Sequence, residues 1–266
     1  MTMKTIHPTT SQPETGGAPH RSRARSGSAP VAVVTGASRG LGREIARELA
    51  RAGWLLVLTA RGEEELSRTA AELAALTEVT AIAGSVVDDD HRAELAHAAA
   101  GFGGADLLVN NASTLAGFDL EGAPMPTLGW FPLLGLLETF EVNVLGPIAL
   151  IQLVLPQLRR KHGRVLNISS DAAVEAYPGW GGYGASKAAL DHASAVLALE
   201  EPRLTVWSVD PGDMRTRMHA EAFPGEDISD RPLPETVVPA LRRLLDESLP
   251  SGRYRAADLL KAEVRP

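Results

Sequence analysis

The chain has 266 residues, a formal net charge of −7 and no cysteine, with 44% hydrophobic and 22% charged residues. This length and composition fit one large α/β domain and predict a soluble globular protein. The lack of cysteine excludes disulfides, cysteine nucleophiles and thiolate zinc sites, and a reducing cytoplasm is the expected location. We find no uninterrupted apolar run of about eighteen residues, so we expect no membrane-spanning helix.

The charge is unevenly distributed along the chain. Residues 1–30 carry Lys4, Arg21, Arg23 and Arg25 against Glu14, so the remainder is more acidic than the whole. An acidic body argues against a nucleic-acid or membrane partner. Residues 1–30 also lack hydrophobic periodicity and an apolar signal segment, which predicts a disordered N-terminal extension followed by one domain at 31–266.

Predicted strands and helices alternate from residue 31 onward. Short apolar runs predict strands at 31–34, 55–58, 79–83, 107–109, 165–168 and 204–209. Helical spacing predicts helices at 43–53, 63–76, 89–100, 133–160 and 184–200. This alternation implies an α/β fold, a doubly wound parallel sheet with helices on both faces. Functional residues are expected at the carboxyl ends of the strands.

The turn after the first run reads TGASRGLG at 35–42 and allows three interpretations. Residues 36–40 match the G-x-S-x-G elbow of hydrolases, although that elbow normally follows several strands. Alternatively, Gly36, Gly40 and Gly42 permit a tight turn that aims helix N-terminal amides at a phosphate. The third interpretation is a plain strand-to-helix turn.

The end of the second run bears on which dinucleotide such a turn would bind. A site that prefers NAD usually has Asp or Glu there to hold the ribose 2′-hydroxyl. Here the chain reads Thr59-Ala60-Arg61. Arg61 and Arg39 can pair with a 2′-phosphate through their planar guanidinium groups, which favours NADP. The alternative is that both are ordinary solvated arginines.

Tyr183 and Lys187 are four residues apart in a predicted helix and therefore share a face. A phenol with a pKa of about 10 is a poor acid near neutrality, and a neighbouring ammonium lowers that pKa. Such a tyrosine can give a proton to a carbonyl oxygen or take one from an alcohol. In isolation, the same pattern is also typical of a surface pair.

Six motifs together extend this pattern. They are TGASRGLG at 35–42, NNAS at 110–113, EVNVLGP around Asn143, NISS ending at Ser170, Tyr183 with Lys187, and PGDMRT at 211–216. In order and spacing the set resembles the short-chain dehydrogenase/reductase family, from residue 31 to about residue 260. The resemblance implies a Rossmann-type sheet and an NADP-dependent oxidoreductase.

The resemblance also implies a role for each catalytic residue. Tyr183 would be the general acid/base, Lys187 would lower its pKa, and Ser170 would hold the substrate oxygen. Asn143, at a local helix irregularity, would hold a water that relays protons to Lys187. Structural alternatives remain, because Ser170 could cap a loop and Asn143 could satisfy buried backbone groups.

The NADP site that the resemblance implies departs from the family pattern at two positions. Ser113 replaces the usual Gly, and Ser85 stands where an Asp often contacts adenine. We expect both changes to affect affinity more than chemistry. The predicted cofactor contacts are Gly36, Ser38, Arg39, Gly40, Leu41, Gly42, Arg61, Val86, Asn111, Ala112, Pro211, Gly212 and Thr216, and no metal site is expected.

Three loops, at 114–138, 171–182 and 213–234, would shape the substrate site. Their aromatic and methionine residues favour a mainly apolar ketone, aldehyde or secondary alcohol. Trp130 and Phe131 fit core or interface packing equally well, and the helices at 133–160 and 184–200 suggest a homodimer or homotetramer. The alternatives are a biosynthetic member that catalyses dehydration, epimerisation or rearrangement, and an NADP-sensing protein without turnover.

Overall fold

A computed structural model describes residues 28–115 and 125–261, so most of the predicted N-terminal extension and part of the loop at 114–138 lie outside the described residues. The strands are β1 (Val31–Thr35), β2 (Leu55–Ala60), β3 (Val79–Ala83), β4 (Leu107–Asn110), β5 (Arg164–Ile168), β6 (Thr205–Asp210) and β7 (Gly252–Arg255). The helices are α1 (Gly40–Arg51), α2 (Glu63–Leu73), α3 (Asp89–Gly101), α4 (Leu133–Phe140), α5 (Gly146–Lys161), α6 (Gly181–Glu200), α7 (Arg217–Ala222), α8 (Val238–Asp246) and α9 (Ala256–Lys261).

The strands form one sheet in the order β3-β2-β1-β4-β5-β6-β7, and every pairing is parallel. The predicted doubly wound parallel sheet is therefore confirmed. The order of strands reverses between β1 and β4, because the chain first builds outward through β2 and β3 and then returns to the other side of β1. Ligands of such sheets bind in the crevice at this reversal, outside the carboxyl ends of the strands.

The central strands are apolar throughout because helices cover both faces of the sheet. In β1, Ala32 and Val34 pack into one layer with α1, α8 and α9. Val31 and Val33 pack into the opposite layer with α3 and α5. All four side chains are fully buried. A continuous apolar run, rather than an alternating one, is what a parallel strand in this environment requires.

The helical stretch predicted at 133–160 is interrupted. A π turn at Glu141–Leu145 separates α4 from α5, and Asn143 lies in the middle of it. A π turn inserts an extra residue per turn and redirects the side chains around it, which is why such turns are frequent at functional sites. The helix that begins at Gly146 then continues along the sheet.

The length and composition of the same stretch bear on the expectation that the chain has no membrane-spanning helix. Within the described residues, Leu133–Lys161 is the one helical segment long and apolar enough to cross a membrane, with 29 residues and a mean hydropathy of 1.5. We overlooked it because Glu138, Glu141 and Asn143 interrupt the apolar run. Its apolar side chains include Leu150 and others of α5 that are buried against the sheet, which accounts for part of this composition.

Candidate active site

A cavity of about 770 Å³ follows the carboxyl ends of the strands. Gly42 and Asn143 are buried and do not line it. No cluster of three or more metal-ligating side chains occurs in the described parts of the chain. The predicted site residues that line the cavity are Gly36, Ser38, Arg39, Gly40, Leu41, Arg61, Val86, Asn111, Ala112, Ser170, Tyr183, Lys187, Pro211, Gly212 and Thr216.

The glycine turn at one end of the cavity leaves no room for side chains. Gly36 has φ +66°, and a Cβ atom on it would lie 2.7 Å from Asn111 Nδ2. A Cβ atom on Gly42 would lie 2.3 Å from the Gly36 carbonyl oxygen. Among the described residues no side chain caps the start of α1, whose residues Gly40 and Leu41 line the cavity. The first-turn amides are therefore available to an anion.

Thr35 and Asn111 brace this turn from the ends of β1 and β4. Thr35 Oγ1 donates to the Val109 carbonyl and accepts from the backbone amides of Asn111 and Ala112, at 3.0 Å each. Asn111 Nδ2 donates to the carbonyl oxygens of Thr35 and Gly36. Both the backbone amide and the side-chain Nδ2 of Asn111 therefore donate to groups within the protein. Sequence reasoning overlooked Thr35, although it is the residue that ends β1 directly before the glycines.

The charged groups near the end of β2 include a carboxylate that the sequence interpretation did not consider. Arg39 Nη1 lies 2.9 Å from Glu65 Oε2, on the first turn of α2, and about half of each side chain is exposed. Arg61 is exposed at the cavity rim. Val86 is buried, and its carbonyl accepts from the buried Arg92 guanidinium at 2.6 Å.

Tyr183 lies near the start of α6, deep in the same cavity. Its side chain is buried, and its phenol is within hydrogen-bonding reach of the hydroxyls of Ser170 and Ser113. Lys187, one turn further along α6, donates from Nζ to the Ile168 carbonyl at 2.8 Å and lies 5.5 Å from the centroid of the Tyr183 ring. Three hydroxyls and one amine therefore meet where β4, β5 and α6 converge.

The electrostatics of this pair differ from the sequence expectation. Burial raises the pKa of Tyr183, and this effect outweighs the lowering by its hydrogen-bonding contacts with the Ser170 and Ser113 hydroxyls. Burial lowers the pKa of Lys187 to about 8, against a small opposing effect of the Asp191 carboxylate. Lys187 does not lower the pKa of Tyr183 in the protein without cofactor, contrary to the expectation. Its ammonium lies over the face of the ring and donates to a backbone carbonyl instead of to the phenol oxygen.

Asn143 has all the hydrogen bonds that its amide can make. Its Oδ1 accepts from the Thr114 amide at 2.9 Å and from the Ser113 hydroxyl at 3.0 Å. Its Nδ2 donates to the Thr114 carbonyl and to Ser186 Oγ. The side chain therefore ties the π turn to the segment after β4 and to α6. Its amide has no hydrogen-bonding capacity left for a relay water in this arrangement, and the expected relay stays a prediction.

Ser170 is both a capping residue and a neighbour of the phenol. Its hydroxyl donates to Asp171 Oδ1 and accepts from the Ala172 amide, which caps a short 3₁₀ turn. Its carbonyl accepts from Arg253 Nη2 at 2.8 Å, and Arg253 Nε lies 2.9 Å from Asp191 Oδ2. Sequence reasoning overlooked Arg253, because no local motif marks it.

The end of the cavity beyond Tyr183 is mainly apolar. Trp180 packs edge-to-face on Tyr183 at 5.6 Å and lies 5.8 Å from Phe223. The sequence left open whether Trp130 and Phe131 contact substrate or pack within the protein. Phe131 is buried and contacts the α6 backbone at Gly182, whereas Trp130 is exposed. Neither lines the cavity. Packing within the protein is therefore the interpretation that applies to Phe131.

A comparison with protein-family models supports one family. The model described as short chain dehydrogenase matches residues 30–227, which span the first six strands and the cluster around Tyr183. The chain belongs to the short-chain dehydrogenase family. Enzymes of this family use a nicotinamide cofactor, so the hydrolase interpretation of the glycine turn is removed.

Named relatives and solved structures agree with this family. The chain is 36% identical, over 71% of its length and 74% of the relative's, to the rhamnolipids biosynthesis 3-oxoacyl-[acyl-carrier-protein] reductase of Pseudomonas aeruginosa. It is 30% identical to an alcohol dehydrogenase from Thermococcus sibiricus complexed with 5-hydroxy-NADP, with a TM-score of 0.75, covering 85% of this chain and 95% of the other. A Shigella flexneri short chain dehydrogenase complexed with NADP is 28% identical, with a TM-score of 0.79, covering 86% and 98%.

The cavity of this short-chain dehydrogenase fits a nicotinamide dinucleotide. Cβ atoms at Gly36 and Gly42 would fill the turn at which a pyrophosphate must approach the backbone closely. The N-terminus of α1 offers unpaired amides to that anion, and Gly40 and Leu41 line the cavity at this point. Thr216 lies next to Gly40 in the cavity wall, with its Cγ2 3.7 Å from where a Cβ on Gly40 would stand.

The lowered pKa of Lys187 makes stability depend on pH in a defined direction. Between about pH 8 and the ordinary value of 10.5, the unfolded short-chain dehydrogenase binds more protons at this lysine than the folded one. The free energy of unfolding should therefore rise with pH over this window, by up to about 1.4 kcal/mol per pH unit. Lys187→Met should lose that dependence.

Urea unfolding of wild type and Lys187→Met at several pH values within this window checks the prediction. The difference between the two proteins isolates Lys187, because other titrating groups cancel. Tyr183 is one such group, since its raised pKa makes stability fall above about pH 10. A difference that stays flat or falls with rising pH contradicts the prediction.

Proposed function

We propose that this protein is an NADP(H)-dependent oxidoreductase acting on a mainly apolar ketone, aldehyde or secondary alcohol, with Tyr183 as the general acid/base. The observation that carries the proposal is the position of the Tyr183 phenol. It lies beside the Ser170 hydroxyl, between the glycine turn and the apolar end of one continuous cavity. A proton donor at this boundary can reach a carbonyl oxygen held next to the cofactor.

When bound, the nicotinamide supplies or accepts the hydride. The chain's own residues move the proton and fix the substrate oxygen. In reduction, Tyr183 gives its proton to the oxygen, and in oxidation it takes that proton back. Ser170 turns the hydrogen that it donates to Asp171 Oδ1 toward the same oxygen and stabilises the charge that develops on it. Trp180 and Phe223 cover the apolar end and exclude water from the reacting carbon.

NADP is the preferred dinucleotide in this proposal because two arginines flank the adenosine end of the cavity. Arg61 is exposed at the rim, and Arg39 opens α1 beside it. Glu65 now holds Arg39, so binding a 2′-phosphate requires Arg39 to exchange one anionic partner for another. Glu65 is also the acidic group that would favour an unphosphorylated ribose, so its effect opposes that of the arginines.

A mainly apolar substrate is supported by the residues beyond Tyr183. Leu115, Trp180, Met218 and Phe223 contribute apolar surface to the cavity there. The Pseudomonas relative is named for a 3-oxoacyl substrate and the Thermococcus structure for an alcohol, and both classes contain the oxygen that Tyr183 requires. Dehydration, epimerisation or nucleotide sensing without turnover remain the alternatives against which the experiment below is designed.

We further propose that the enzyme is a cytoplasmic homodimer or homotetramer without nucleic-acid or membrane partners. The support for self-association is the exposed apolar surface on α4 and α6, where Leu133, Leu134 and Leu199 are each more than four-fifths exposed. Two copies that meet through these helices bury such side chains.

Cofactor preference tests the proposal directly. Wild type should oxidise NADPH with at least one member of a panel of apolar ketones and aldehydes, and should do so more efficiently than NADH. Arg61→Ala should raise the KM for NADPH about tenfold, because a charge-assisted hydrogen bond to phosphate is lost. Its KM for NADH should change little. Steady-state kinetics with both cofactors measures these values.

Arg68, which lies on α2, provides the matched control. Arg68→Ala removes an exposed arginine that pairs only weakly with Glu64, at 3.9 Å, and that does not line the cavity. It should leave both KM values unchanged. A preference of wild type for NADH overturns the assignment of NADP. Tight NADPH binding without turnover on the whole panel supports the nucleotide-sensing alternative instead.

A further inference from the structure

Ser113, which replaces the glycine usual in the family, lies in the active site. It follows β4, is half-buried and lines the cavity. Its hydroxyl donates to Asn143 Oδ1 at 3.0 Å and is within hydrogen-bonding reach of the Tyr183 phenol. The phenol is therefore flanked by two hydroxyls, Ser170 on one side and Ser113 on the other. A glycine at this position has no hydroxyl to contribute.

The hydrogen-bonding capacity of a serine limits what Ser113 can do. A hydroxyl has one hydrogen to donate and two lone pairs to accept with. While Tyr183 is protonated and no substrate oxygen takes its hydrogen, Ser113 can donate to Asn143 and accept from the phenol. Once Tyr183 has given its proton away, the phenolate needs donors. Ser113 can then turn its single hydrogen from Asn143 to Tyr183.

Asn143 Oδ1 keeps a hydrogen-bond donor when the Ser113 hydroxyl rotates away. Asn143 Oδ1 also accepts from the Thr114 amide at 2.9 Å, so it keeps one hydrogen bond when the hydroxyl turns away. Asn143 itself is held in place through Nδ2 by Thr114 and Ser186. The rotation therefore leaves no polar atom of Asn143 without a partner. An unpaired buried polar atom would make the rotation unfavourable.

We propose that Ser113 is a further catalytic residue, whose hydroxyl donates a hydrogen bond to the Tyr183 phenolate once the phenol proton has passed to the substrate oxygen. The inference rests on the proposed function, because it assumes that Tyr183 exchanges a proton with the substrate. In the reductive direction the phenol O–H bond breaks and an O–H bond forms on the substrate oxygen. Ser113 keeps its own proton and only redirects it.

The charges around the phenol make this donor valuable. Asp171, in the 3₁₀ turn, and Asp210, at the end of β6, both disfavour a phenolate at Tyr183. The ammonium of Lys187 lies over the ring, with its hydrogen bond directed to Ile168. Among the protein groups that the structure describes around the phenol, the hydroxyls of Ser113 and Ser170 are the ones that lower its pKa.

Three substitutions separate the hydroxyl from the space it fills. Ser113→Ala removes only the oxygen, Ser113→Gly installs the residue that the family pattern favours, and Ser113→Thr retains a hydroxyl. Loss of the hydroxyl should lower kcat about tenfold and move the Tyr183-dependent limb of the pH profile upward by about one pH unit. Ser113→Thr should restore most of both. The dissociation constant for NADPH should stay within about twofold of wild type in all three variants.

A spectroscopic titration tests the same contact without turnover. The chain has only three tyrosines, so an isotope label on tyrosine Cζ gives three NMR signals, and Tyr183→Phe identifies the one from Tyr183. In the NADP⁺ complex, Ser113→Ala should shift the Tyr183 signal and raise its titration midpoint. The signals of Tyr177 and Tyr254 should not move. Ser113→Thr should return the Tyr183 signal toward its wild-type position.

The two readouts keep this inference distinct from the proposed function. If wild type reduces no carbonyl compound, the proposed function fails while the NMR titration still decides whether Ser113 bonds the phenol. If wild type is active but Ser113→Ala and Ser113→Gly match it in kcat, pH profile and Tyr183 signal, the role of Ser113 is overturned. A fall in kcat with an unchanged pH profile and unchanged Tyr183 signal also overturns it, because a purely structural effect would look like this.

Discussion

Replacing Tyr183 with phenylalanine is expected to lower kcat by about a thousandfold, because the reaction loses its proton donor. The ring should keep its place, since Tyr183 is buried against Trp180 and most of its contacts are made by the ring. NADPH should bind with an affinity within about twofold of wild type, because the contacts proposed for the dinucleotide lie elsewhere in the cavity. Single-turnover kinetics and NADPH fluorescence titration measure the two quantities.

Tyr177 offers the matched control for this substitution. It also lines the cavity, and its hydroxyl donates to carboxylates of Asp171 and Glu175. These hydrogen bonds raise its pKa, as burial does for Tyr183. Tyr177→Phe should nonetheless retain most of the activity, because Tyr177 is exposed and its hydroxyl is held by the carboxylates of Asp171 and Glu175 rather than by Ser170. Undiminished turnover in Tyr183→Phe would remove the proposed mechanism.

The central strands were predictable because a parallel strand that is buried on both faces must be apolar at every position. The runs around Val33 and Val57 show this, since both residues are fully buried in the sheet. The edge strand β7 reads GRYR and was overlooked. Two of its four residues are arginines, and its formation depends on pairing with β6 rather than on any hydrophobic pattern of its own.

The site was predictable where one motif carries the function and unpredictable where distant segments meet. Tyr183 and Lys187 share a helix face because of their spacing alone. The hydrogen bond between Ser113 and Asn143 joins residues 30 apart in the chain, and that between Arg253 and Asp191 joins residues 62 apart. Such contacts depend on the order of strands in the sheet. From the sequence, Ser113 was expected to affect only cofactor affinity, whereas in the folded protein it lies next to the Tyr183 phenol.

Helical spacing also could not predict the direction in which the pKa of Tyr183 shifts. Two residues four positions apart lie on one face, but which atoms meet depends on rotamers and on competing partners. The Ile168 carbonyl takes a hydrogen bond from Lys187, and the ammonium lies over the ring rather than at the phenol oxygen. Burial then decides the balance at both residues, raising the pKa of the phenol and lowering that of the amine.

The second large effect is expected at Gly42. A Cβ atom there would lie 2.3 Å from the Gly36 carbonyl oxygen and 2.4 Å from Asn111 Nδ2. Neither neighbour is the end of a flexible chain, because Gly36 is backbone and Asn111 is held by two hydrogen bonds. Gly42→Ala must therefore push α1 away from the turn. We expect a loss of about 3 kcal/mol in the free energy of unfolding and a loss of NADPH binding by about a hundredfold.

Gly101→Ala is the control that separates this clash from the general effect of replacing a glycine. Gly101 ends α3, has no neighbour within 4 Å of an added Cβ, and is exposed. Alanine there should leave NADPH binding unchanged and should raise stability slightly or not at all. Urea unfolding and NADPH titration of both variants measure the contrast. If Gly42→Ala bound NADPH as wild type does, the close approach of the backbone to the pyrophosphate would not be needed, and the phosphate-binding role of the turn would be lost with it.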